Sequence, residues 1–448
     1  MGATEAMARV LGVNAVGRVP SRGVNEGGLR EAVEKLQEDG AAEAVIAAFE
    51  RRFAQLDDPD AGFLRGDDLQ PVEDVPALED LGDAGDHRDA PKVAVVKLNG
   101  GLGTSMGLRG PKSLIEVKPG VTFLDVIARQ AEERPLVLMN SFSTDAATRE
   151  ADVGARFFLQ SREPKLREDD RRPVVWPDDP ALEWCPPGHG DVYVSLAASG
   201  MLDELLGEGI EWAFISNSDN LGATPDDRIA TWAAREGVPF VMEVVRGTPA
   251  DRKGGHIARR RDDGRIVLRE TAQTPPGDDS FTDVERWRYY NTNNLWVDVK
   301  ALKQLLTDDP AGPELPLIVN RKTVDPRDPS STPVLQLETA MGAAIGAIPG
   351  ARAVLVPRTR FAPVKTTDDL LVVRSDAYVL EGGRMVPTFD GPPPVVSLDP
   401  KYYKSLPDME KRFPHGPPSL REAASFTVTG DVTFGAGVVV RGEGEVAA

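Results

Sequence analysis

The sequence predicts an α/β fold built on a mixed, mostly parallel β-sheet with helices on both of its faces. Short β-rich runs alternate with helical stretches along much of the chain. Nearly every residue in these runs is apolar, which is typical of strands that are covered on both faces, as in parallel sheets. The runs are residues 93–98, 135–140, 212–217, 239–245, 290–297 and 353–356. Ligands bind such sheets at the carboxyl ends of the strands, so polar residues that follow the runs are the first candidates for a site.

Composition and charge limit the possible partners. The chain has 448 residues, of which 41% are hydrophobic and 27% are charged, close to the averages of globular proteins. We expect two or three domains with a sizeable core. With 52 Lys and Arg against 71 Asp and Glu, the formal net charge is −19. Affinity for nucleic acid comes mainly from basic residues that neutralise phosphates, so this charge disfavours a nucleic acid partner.

The single cysteine and the short lengths of the apolar runs indicate in which cellular compartment the protein is expected. Cys185 stands alone, which excludes an intrachain disulfide and the Cys-rich zinc sites and fits a reducing environment. The first thirty residues hold no continuous apolar stretch of the kind found in secretion signals. No apolar run approaches the ~18 residues that span a bilayer. We therefore expect a cytoplasmic protein without a membrane partner.

Residues 1–90 are predicted to form an N-terminal helical segment and an acidic linker. Between residues 29 and 56, apolar residues recur mostly at three- and four-residue steps, which indicates amphipathic helices. Gly40 is expected to separate two of them. Residues 57–91 are acidic and rich in Pro, Gly and Asp, which is typical of a surface segment.

Residues 396–448 are predicted to form a linker and a short C-terminal β-helix. Val428, Phe434, Val440 and Val446 are spaced by six residues with glycines between them, and this period is typical of a parallel β-helix. Coincidence in a Gly-rich tail is the alternative. About four such repeats make little more than one turn, so the helix must pack on the main domain. We expect a monomer or at most a weak homodimer.

The strongest local signal is a glycine-rich loop that directly follows the run 93–98. Residues 97–113 read Lys-Leu-Asn-Gly-Gly-Leu-Gly-Thr-Ser-Met-Gly-Leu-Arg-Gly-Pro-Lys-Ser, with five glycines between residues 100 and 110. Glycines let backbone N–H groups turn inward around an anion, and Lys112 adds a positive charge. The loop therefore predicts phosphate binding, with a mobile Gly-rich turn as the alternative.

Two familiar phosphate motifs do not fit the spacing of this loop. A P-loop requires Gly-Lys-Ser/Thr, but Pro111 stands between Gly110 and Lys112. A dinucleotide fingerprint opens directly into a helix, whereas the Gly110-Pro111 pair would break one. These departures argue against a P-loop ATPase and a dehydrogenase.

The loop resembles the nucleotide-binding loop of the UTP–glucose-1-phosphate uridylyltransferase family, the UDP-glucose pyrophosphorylases of the eukaryotic-like type. Further segments match that family in order over nearly the whole chain, most weakly before residue 90. These segments are Asn140-Ser141-Phe142, Gln160-Ser161-Arg162, Pro186-Pro187-Gly188-His189-Gly190-Asp191, Ser216-Asn217-Ser218-Asp219-Asn220-Leu221-Gly222, Lys253-Gly254-Gly255, Asn291-Thr292-Asn293-Asn294-Leu295-Trp296, Gln336-Leu337-Glu338-Thr339-Ala340 and Phe361-Ala362-Pro363-Val364-Lys365-Thr366-Thr367.

The resemblance implies a fold and a reaction. The fold is a Rossmann-like, GT-A-like nucleotidyltransferase domain, expected here at residues 91–395, followed by a left-handed β-helix. The reaction is the reversible, Mg²⁺-dependent conversion of UTP and glucose 1-phosphate to UDP-glucose and pyrophosphate, by in-line attack on the α-phosphate of UTP without a covalent intermediate. The attacking phosphate oxygen is already anionic, so catalysis reduces to positioning and electrostatics.

The resemblance also implies roles for charged residues. Lys112 would lie at the nucleotide phosphates and Lys365 at the two reacting phosphates, so both are the catalytic candidates. Asp219, after the run 212–217, would hold Mg²⁺ against phosphate oxygens. Without the resemblance, a lysine beside a loop is usually a solvated surface charge, and Asp219 could equally be a turn residue.

The remaining site residues divide into two sets on the same basis. Leu98, Asn99, Gly100, Gly101, Gln160 and Gly188 join Lys112, Asp219 and Lys365 in the nucleotide set, with Gln160 and Gly188 at the uracil edge. The resemblance implies a sugar set that consists of His189, Asn217, Gly255, Glu270, Asn291 and Asn293. The amides and the carboxylate of this set suit a sugar, because such groups bind hydroxyl groups at fixed angles. Alone, His189 could be a structural histidine in a rigid turn.

Two other functions remain as alternatives. A pyrophosphorylase for another UDP-sugar, such as a UDP-N-acetylhexosamine, would share the fold, although the Asn-Gly-Gly-Leu-Gly-Thr-Ser-Met-Gly form of the loop argues against it. A non-catalytic nucleotide-sugar binding protein would be expected to lack Lys112, Asp219 or Lys365, and all three are present.

Overall fold

The computed structural model describes residues 26–58, 60, 62–85, 90–108 and 110–448. The first 25 residues of the predicted N-terminal segment and Arg109 of the glycine-rich loop lie outside the described residues. The helices are α1 (Glu26–Glu38), α2 (Glu43–Gln55), α3 (Phe123–Ala131), α4 (Asp145–Glu150), α5 (Val192–Ala198), α6 (Met201–Gly207), α7 (Asp227–Glu236), α8 (Val299–Asp308), α9 (Ala344–Ala347), α10 (Thr367–Arg374), α11 (Pro400–Tyr403) and α12 (Leu406–Arg412).

The strands form one large sheet and several small ones. They are β1 (Leu69–Gln70), β2 (Val93–Asn99), β3 (Glu116–Lys118), β4 (Val121–Thr122), β5 (Leu136–Asn140), β6 (Arg156–Leu159), β7 (Glu163–Pro164), β8 (Leu166–Arg167), β9 (Trp184–Cys185), β10 (Trp212–Asn217), β11 (Phe240–Arg246), β12 (His256–Arg260), β13 (Ile266–Arg269), β14 (Tyr289–Asp298), β15 (Ile318–Thr323), β16 (Pro333–Glu338), β17 (Arg352–Leu355), β18 (Tyr378–Glu381), β19 (Arg384–Pro387), β20 (Val395–Leu398), β21 (Ser419–Thr429) and β22 (Val439–Ala447).

Among the described residues, the central sheet has ten strands, which confirms the predicted α/β class. Along its main path the order is β1-β12-β14-β10-β2-β5-β6. Strands β10, β2, β5 and β6 are parallel, and every residue of β2 and β5 is buried. Burial on both faces explains why these runs are continuously apolar.

Strand β14 runs against its neighbours. It pairs antiparallel with β10 on one side and with β11 on the other, whereas β11 and β17 are parallel. An apolar run does not encode strand direction, so the sequence predicted this strand but not its orientation. Because β14 is antiparallel to β10, its first residues lie at the edge where β10 ends.

The N-terminal helices form as predicted. Gly40 lies between α1 and α2 with a φ of 77°, a left-handed conformation that glycine adopts without strain. The two helices bury Leu36, Phe49 and Phe53 against the strand pair β8 and β16. The described part of the N-terminal segment is therefore packed onto the main domain.

The acidic segment after α2 is more integrated than its composition suggests. Its Leu69 lies in strand β1, which pairs with β12 at the edge of the central sheet. Val72, Leu78 and Leu81 are also buried. A few well-placed apolar residues outweigh the many acidic ones because the acidic side chains remain in solvent.

The C-terminal region contains a three-stranded parallel sheet in the order β20-β21-β22. Val428, Phe434 and Val440, three of the four residues with six-residue spacing, are buried in a core shared with α3 and α10. The predicted packing against the main domain is thus present. A left-handed β-helix, and domain boundaries at residues 90 and 395, stay predictions.

Within the described part of the chain, no helix combines the length and the apolar character required to cross a membrane.

Candidate active site

The ends of four parallel strands bring most of the predicted residues to one edge of the sheet. Strands β2, β5, β6 and β10 all end there, and their order in the sheet makes them neighbours. The glycine-rich loop follows β2, Gln160 follows β6, and Asp219 lies two residues after β10. Residues distant in sequence thereby meet at the carboxyl edge, as the fold class predicts.

The glycine-rich loop closes on itself. The N–H of Gly103 donates to the carbonyl oxygen of Gly110 at 3.1 Å. The N–H of Lys112 donates to the carbonyl oxygen of Gly101 at 3.2 Å. Gly107 has a φ of 75°, and a Cβ there would lie 2.9 Å from the Cβ of Ser405. Closure fixes the position from which Lys112 projects.

Both predicted catalytic lysines contact the predicted metal ligand. The Nζ of Lys112 lies 2.9 Å from Oδ2 of Asp219, and the Nζ of Lys365 lies 3.1 Å from the same oxygen. Lys112 and Asp219 are each 12% exposed, whereas Lys365 is 59% exposed. Two ammonium groups and one carboxylate therefore converge beside the glycine-rich loop.

Backbone contacts between two loops explain how Lys365 reaches Asp219. The N–H of Val364 donates to the carbonyl oxygen of Asp219 at 3.0 Å. The N–H of Ala362 donates to Oδ1 of Asn220 at 2.9 Å. The segment before Lys365 is thus fastened to the loop that carries Asp219.

Helix α10 begins immediately after Lys365 and holds its backbone. Thr366 and Asp369 form a capping box, in which each side chain accepts a hydrogen bond from the other residue's N–H. The N–H of Lys365 also donates to Oδ2 of Asp369, at 2.7 Å. The backbone at Lys365 is therefore fixed on both sides, while its long side chain extends toward Asp219.

The second oxygen of Asp219 is suited to a cation. Oδ1 of Asp219 is buried and accepts no hydrogen bond from the described residues. Among those residues no group of three or more His, Cys, Asp or Glu side chains could hold a metal ion. One carboxylate completed by substrate phosphates and water is a usual arrangement for Mg²⁺, so the residues fit a metal that arrives with a nucleotide.

Three residues of the nucleotide set meet at the opposite side of the loop. The Nε2 of Gln160 donates to the carbonyl oxygen of Gly188 at 2.8 Å, and a Cβ on Gly100 would lie 3.0 Å from Oε1 of Gln160. Gly188 has a φ of 77°, and a Cβ there would lie 2.5 Å from the carbonyl oxygen of Thr339. Both a left-handed backbone and a close approach require glycine at this position.

Leu98 and Asn99 use their polar groups within the fold. The carbonyl oxygen of Leu98 accepts from the N–H of Ser218 at 3.2 Å. The buried amide of Asn99 donates to Oδ1 of Asn140 at 2.7 Å and to Oγ1 of Thr148 at 3.0 Å. The Asn99 side chain thus ties β2 to β5 and α4.

His189 is held as a neutral imidazole. Its Nδ1 accepts a hydrogen bond from the N–H of Met341 at 2.9 Å, which leaves the proton on Nε2. Burial, together with the positive charge of Lys365, lowers the pKa of His189 from 6.5 to about 4. Lys365 is therefore close enough for its charge to act on His189.

We expect NMR of the labelled imidazole to show His189 as the Nε2–H tautomer at neutral pH, with protonation only near pH 4. The folded state disfavours the charged ring, so stability from this group is lost as pH falls from the ordinary value of about 6.5 toward the lowered one. A protonation midpoint for His189 above about pH 6 would contradict the assignment.

Four of the six residues in the sugar set form a contiguous cluster. Asn291 Nδ2 donates to Oδ1 of Asn293 at 2.8 Å, and the N–H of Asn291 donates to the carbonyl oxygen of Gly255 at 2.9 Å. A Cβ on Gly255 would lie 2.6 Å from the carboxyl atoms of Glu270. Burial raises the pKa of Glu270, opposed by a hydrogen bond from Asn291. Asn217, the last residue of β10, is partly buried at the same edge of the sheet.

An irregularity in β14 presents this cluster. In β11, Met242 pairs with Leu295 of β14 and Val244 pairs with Asn291. The single residue Glu243 therefore lies opposite three residues of β14. Within this irregularity Asn293 adopts a left-handed φ of 57°. Such bulges redirect side chains and are common beside active sites. The run of asparagines was predicted as a site, but the bulge that displays it was not.

A buried polar network beneath the site was not predicted. Glu243 is fully buried and accepts from Arg360 at 2.9 and 2.5 Å and from the Nε1 of Trp296 at 2.9 Å. Lys97 is buried nearby and donates to Oγ of Ser216 at 2.7 Å. The only available signal was a charged residue within each otherwise apolar run.

Comparison with known proteins identifies the family. The family model described as UTP–glucose-1-phosphate uridylyltransferase matches residues 49–441. The enzyme of that name from Saccharomyces cerevisiae is 44% identical over 370 residues, which are 78% of this chain and 73% of the yeast protein. The one from Musa acuminata is 42% identical over 398 residues, 84% of this chain and 81% of that protein.

Solved structures extend the similarity to the fold. A variant of UDP-glucose pyrophosphorylase from Leishmania major, in complex with UDP-glucose, superposes with a TM-score of 0.89 at 40% identity over 95% of each chain. A UDP-glucose phosphorylase from Trypanosoma brucei gives 0.86 at 43% identity over 94% of this chain and 95% of that one. The chain therefore belongs to the UTP–glucose-1-phosphate uridylyltransferase family.

Proposed function

We propose that this protein catalyses the reversible transfer of the uridylyl group from UTP to glucose 1-phosphate, which yields UDP-glucose and pyrophosphate. The observation that carries the proposal is the convergence of Lys112 and Lys365 on Oδ2 of Asp219, beside a closed glycine-rich loop. Two substrates that are both anions can meet at one phosphorus only where cations offset their repulsion.

The residues support an in-line displacement without a covalent intermediate. A phosphate oxygen of glucose 1-phosphate is already a nucleophile, so it attacks the α-phosphate of UTP without a general base. Lys112 would bind the nucleotide phosphates, and Lys365 would bind both reacting phosphates. His189, neutral at physiological pH, offers its Nε2–H as a donor rather than a charge. Positioning and charge stabilisation account for the chemistry.

Asp219 is the residue that would hold the divalent cation, and we propose that this cation is Mg²⁺. A hard cation prefers carboxylate and phosphate oxygens, and the buried Oδ1 of Asp219, which has no hydrogen-bond partner among the described residues, supplies one of them. When bound, the metal supplies positive charge to the triphosphate that the two lysines do not cover.

Selection of the substrates follows from the two polar clusters. We assign uracil recognition to Gln160 and Gly188, supported by Gly100 and Gly101 and by the backbone of Leu98 and Asn99. Glu270, Asn291 and Asn293, with Gly255 and Asn217, would bind the sugar hydroxyls. A carboxylate and amides held by each other present donors and acceptors at fixed angles, as sugar recognition requires.

Pyrophosphate release from UTP, measured with a panel of sugar 1-phosphates, tests the proposed reaction. We expect glucose 1-phosphate to be the preferred acceptor, and TTP and ATP to be poor donors because uracil is read at a glycine-lined edge. Equal turnover with N-acetylhexosamine 1-phosphates would instead assign the broader activity. Absence of release with every sugar would overturn the proposal.

We also propose that the protein acts in the cytoplasm as a monomer, or at most a weak homodimer. The apolar side of the C-terminal sheet, including Leu420, Phe426 and Val428, is buried in the chain's own core and so is not available to a second copy. We expect light scattering to give an unchanged monomer mass across a tenfold concentration range. A stable higher oligomer lost on substitution of residues in 426–448 would contradict this.

A further inference from the structure

A buried ammonium group lies at the base of the loop that carries Asp219. The Nζ of Lys97, in β2, donates to Oγ of Ser216 at 2.7 Å and to the carbonyl oxygen of Ala223 at 2.9 Å. Ser216 lies near the end of β10, before the loop 218–222, and Ala223 follows that loop. One side chain therefore bridges the two ends of the loop.

Burying this lysine is costly, which calls for a compensating role. Lys97 is 1% exposed. Burial and the charge of Arg360 lower its pKa to about 7, whereas the carboxylates of Glu243 and Asp219 oppose that shift. Its ammonium also lies 5.7 Å from the ring centroid of Phe214. An apolar side chain would be buried at this position at a lower cost in free energy. Packing therefore does not explain why the amine of Lys97 is here.

The other side of the same loop is fastened independently. The amide of Asn220 donates to the carbonyl oxygen of Arg360 at 3.1 Å and to Oδ1 of Asn294 at 3.2 Å. A Cβ on Gly222 would lie 2.4 Å from the carbonyl oxygen of Thr359. These contacts fasten the loop to β14 and to the segment before Lys365. Lys97 fastens the same loop to β2, the strand that leads into the glycine-rich loop.

We propose that Lys97 is a positioning residue that fixes the Asp219 carboxylate between Lys112 and Lys365, so that metal and nucleotide are bound together. The proposal rests on the proposed function and deepens it. Because Lys97 is 1% exposed, it is too buried to contact a substrate directly. It acts by joining β2, which continues into the phosphate loop, to the loop of Asp219, so that the two halves of the phosphate site keep a constant separation.

Calorimetric titration with Mn²⁺ and UTP, in the absence of any sugar phosphate, tests the proposal directly. We expect Lys97→Met to weaken Mn²⁺·UTP binding by about tenfold or more, because a displacement near 1 Å in such a site can cost up to about a hundredfold. The matched control is Lys165→Met, which removes another buried lysine that donates to the carbonyl oxygen of Val324 at 3.0 Å. The control is expected to bind like wild type.

A double-mutant cycle separates positioning from general destabilisation. If Lys97 acts through Asp219, Lys97→Met will weaken binding far less in an Asp219→Asn background than in the wild type. Equal penalties in both backgrounds, or binding by folded Lys97→Met within twofold of wild type, would overturn the proposal. If Lys97→Met does not fold, Ser216→Ala takes its place in the cycle, because it removes one of the two acceptors.

The same titration distinguishes the two proposals. Wild-type protein that binds Mn²⁺·UTP but releases no pyrophosphate with any sugar phosphate would contradict the proposed reaction and leave the role of Lys97 standing. Wild-type turnover together with an additive cycle would contradict only the role of Lys97.

Discussion

Lys365→Ala is expected to lower kcat by about a hundredfold to a thousandfold while the protein remains folded. Charge-stabilising contacts made in a transition state are worth about 3 kcal/mol or more, and this ammonium would contact both reacting phosphates. Its side chain is 59% exposed, so its removal costs little folding free energy. Lys112→Ala is expected to cause a loss of similar order, with a larger rise in the KM for UTP.

Steady-state pyrophosphate release, with circular dichroism as the check on folding, measures both lysine effects. Lys411→Ala removes an exposed lysine of α12 and is the matched control, expected to have wild-type turnover. Lys365→Arg should recover part of the lost rate, because the charge returns in a different geometry. Turnover of folded Lys365→Ala within about threefold of wild type would remove this lysine from catalysis.

Asp219→Asn is expected to raise the Mg²⁺ concentration required for half-maximal rate and to depress the rate at saturation. An amide oxygen is a poorer ligand for a hard cation than a carboxylate oxygen. Thermal stability without ligand is expected to fall modestly, because the amide keeps the size of the side chain but loses the charge that pairs with Lys112 and Lys365.

A Mg²⁺ titration at saturating UTP and glucose 1-phosphate checks the Asp219 prediction. Asp203→Asn, at a half-exposed carboxylate on α6 that pairs with Lys303, is the control for a change of net charge. If the Asp219→Asn titration curve coincides with that of wild type, Asp219 is not a metal ligand.

The sequence predicted the strands closely because burial on both faces leaves a direct record in composition. The run 212–217 coincides with β10, and the run 93–98 falls one residue short of β2. The family resemblance named Lys112, Asp219 and Lys365, and the structure brings these three side chains together, while their roles stay predictions. The need for glycine at position 188 is explained only by the structure, through its positive φ and its close neighbours.

What the sequence did not predict depends on pairs of residues far apart in the chain. Lys97 donates to Ser216, which lies 119 residues away in the chain, and Arg360 donates to Glu243, which lies 117 residues away. Neither pairing leaves a local pattern, because Lys97 looks like an interruption in an apolar run and Arg360 looks like one of two arginines in a short polar segment. The same holds for the direction of β14, which is fixed by its neighbours rather than by its own residues.

The carboxylate that Lys112 and Lys365 share makes phosphate binding at this site an exchange of one anion for another. Asp219 serves as the resident counterion of both lysines, so an incoming phosphate replaces one anion by another instead of creating a new charge pair. The displaced carboxylate would then repel a bare triphosphate in a protein of net charge −19. Nucleotide binding is thereby coupled to cation binding. Metal-free UTP should be a weak ligand, and its affinity should rise with the concentration of divalent cation.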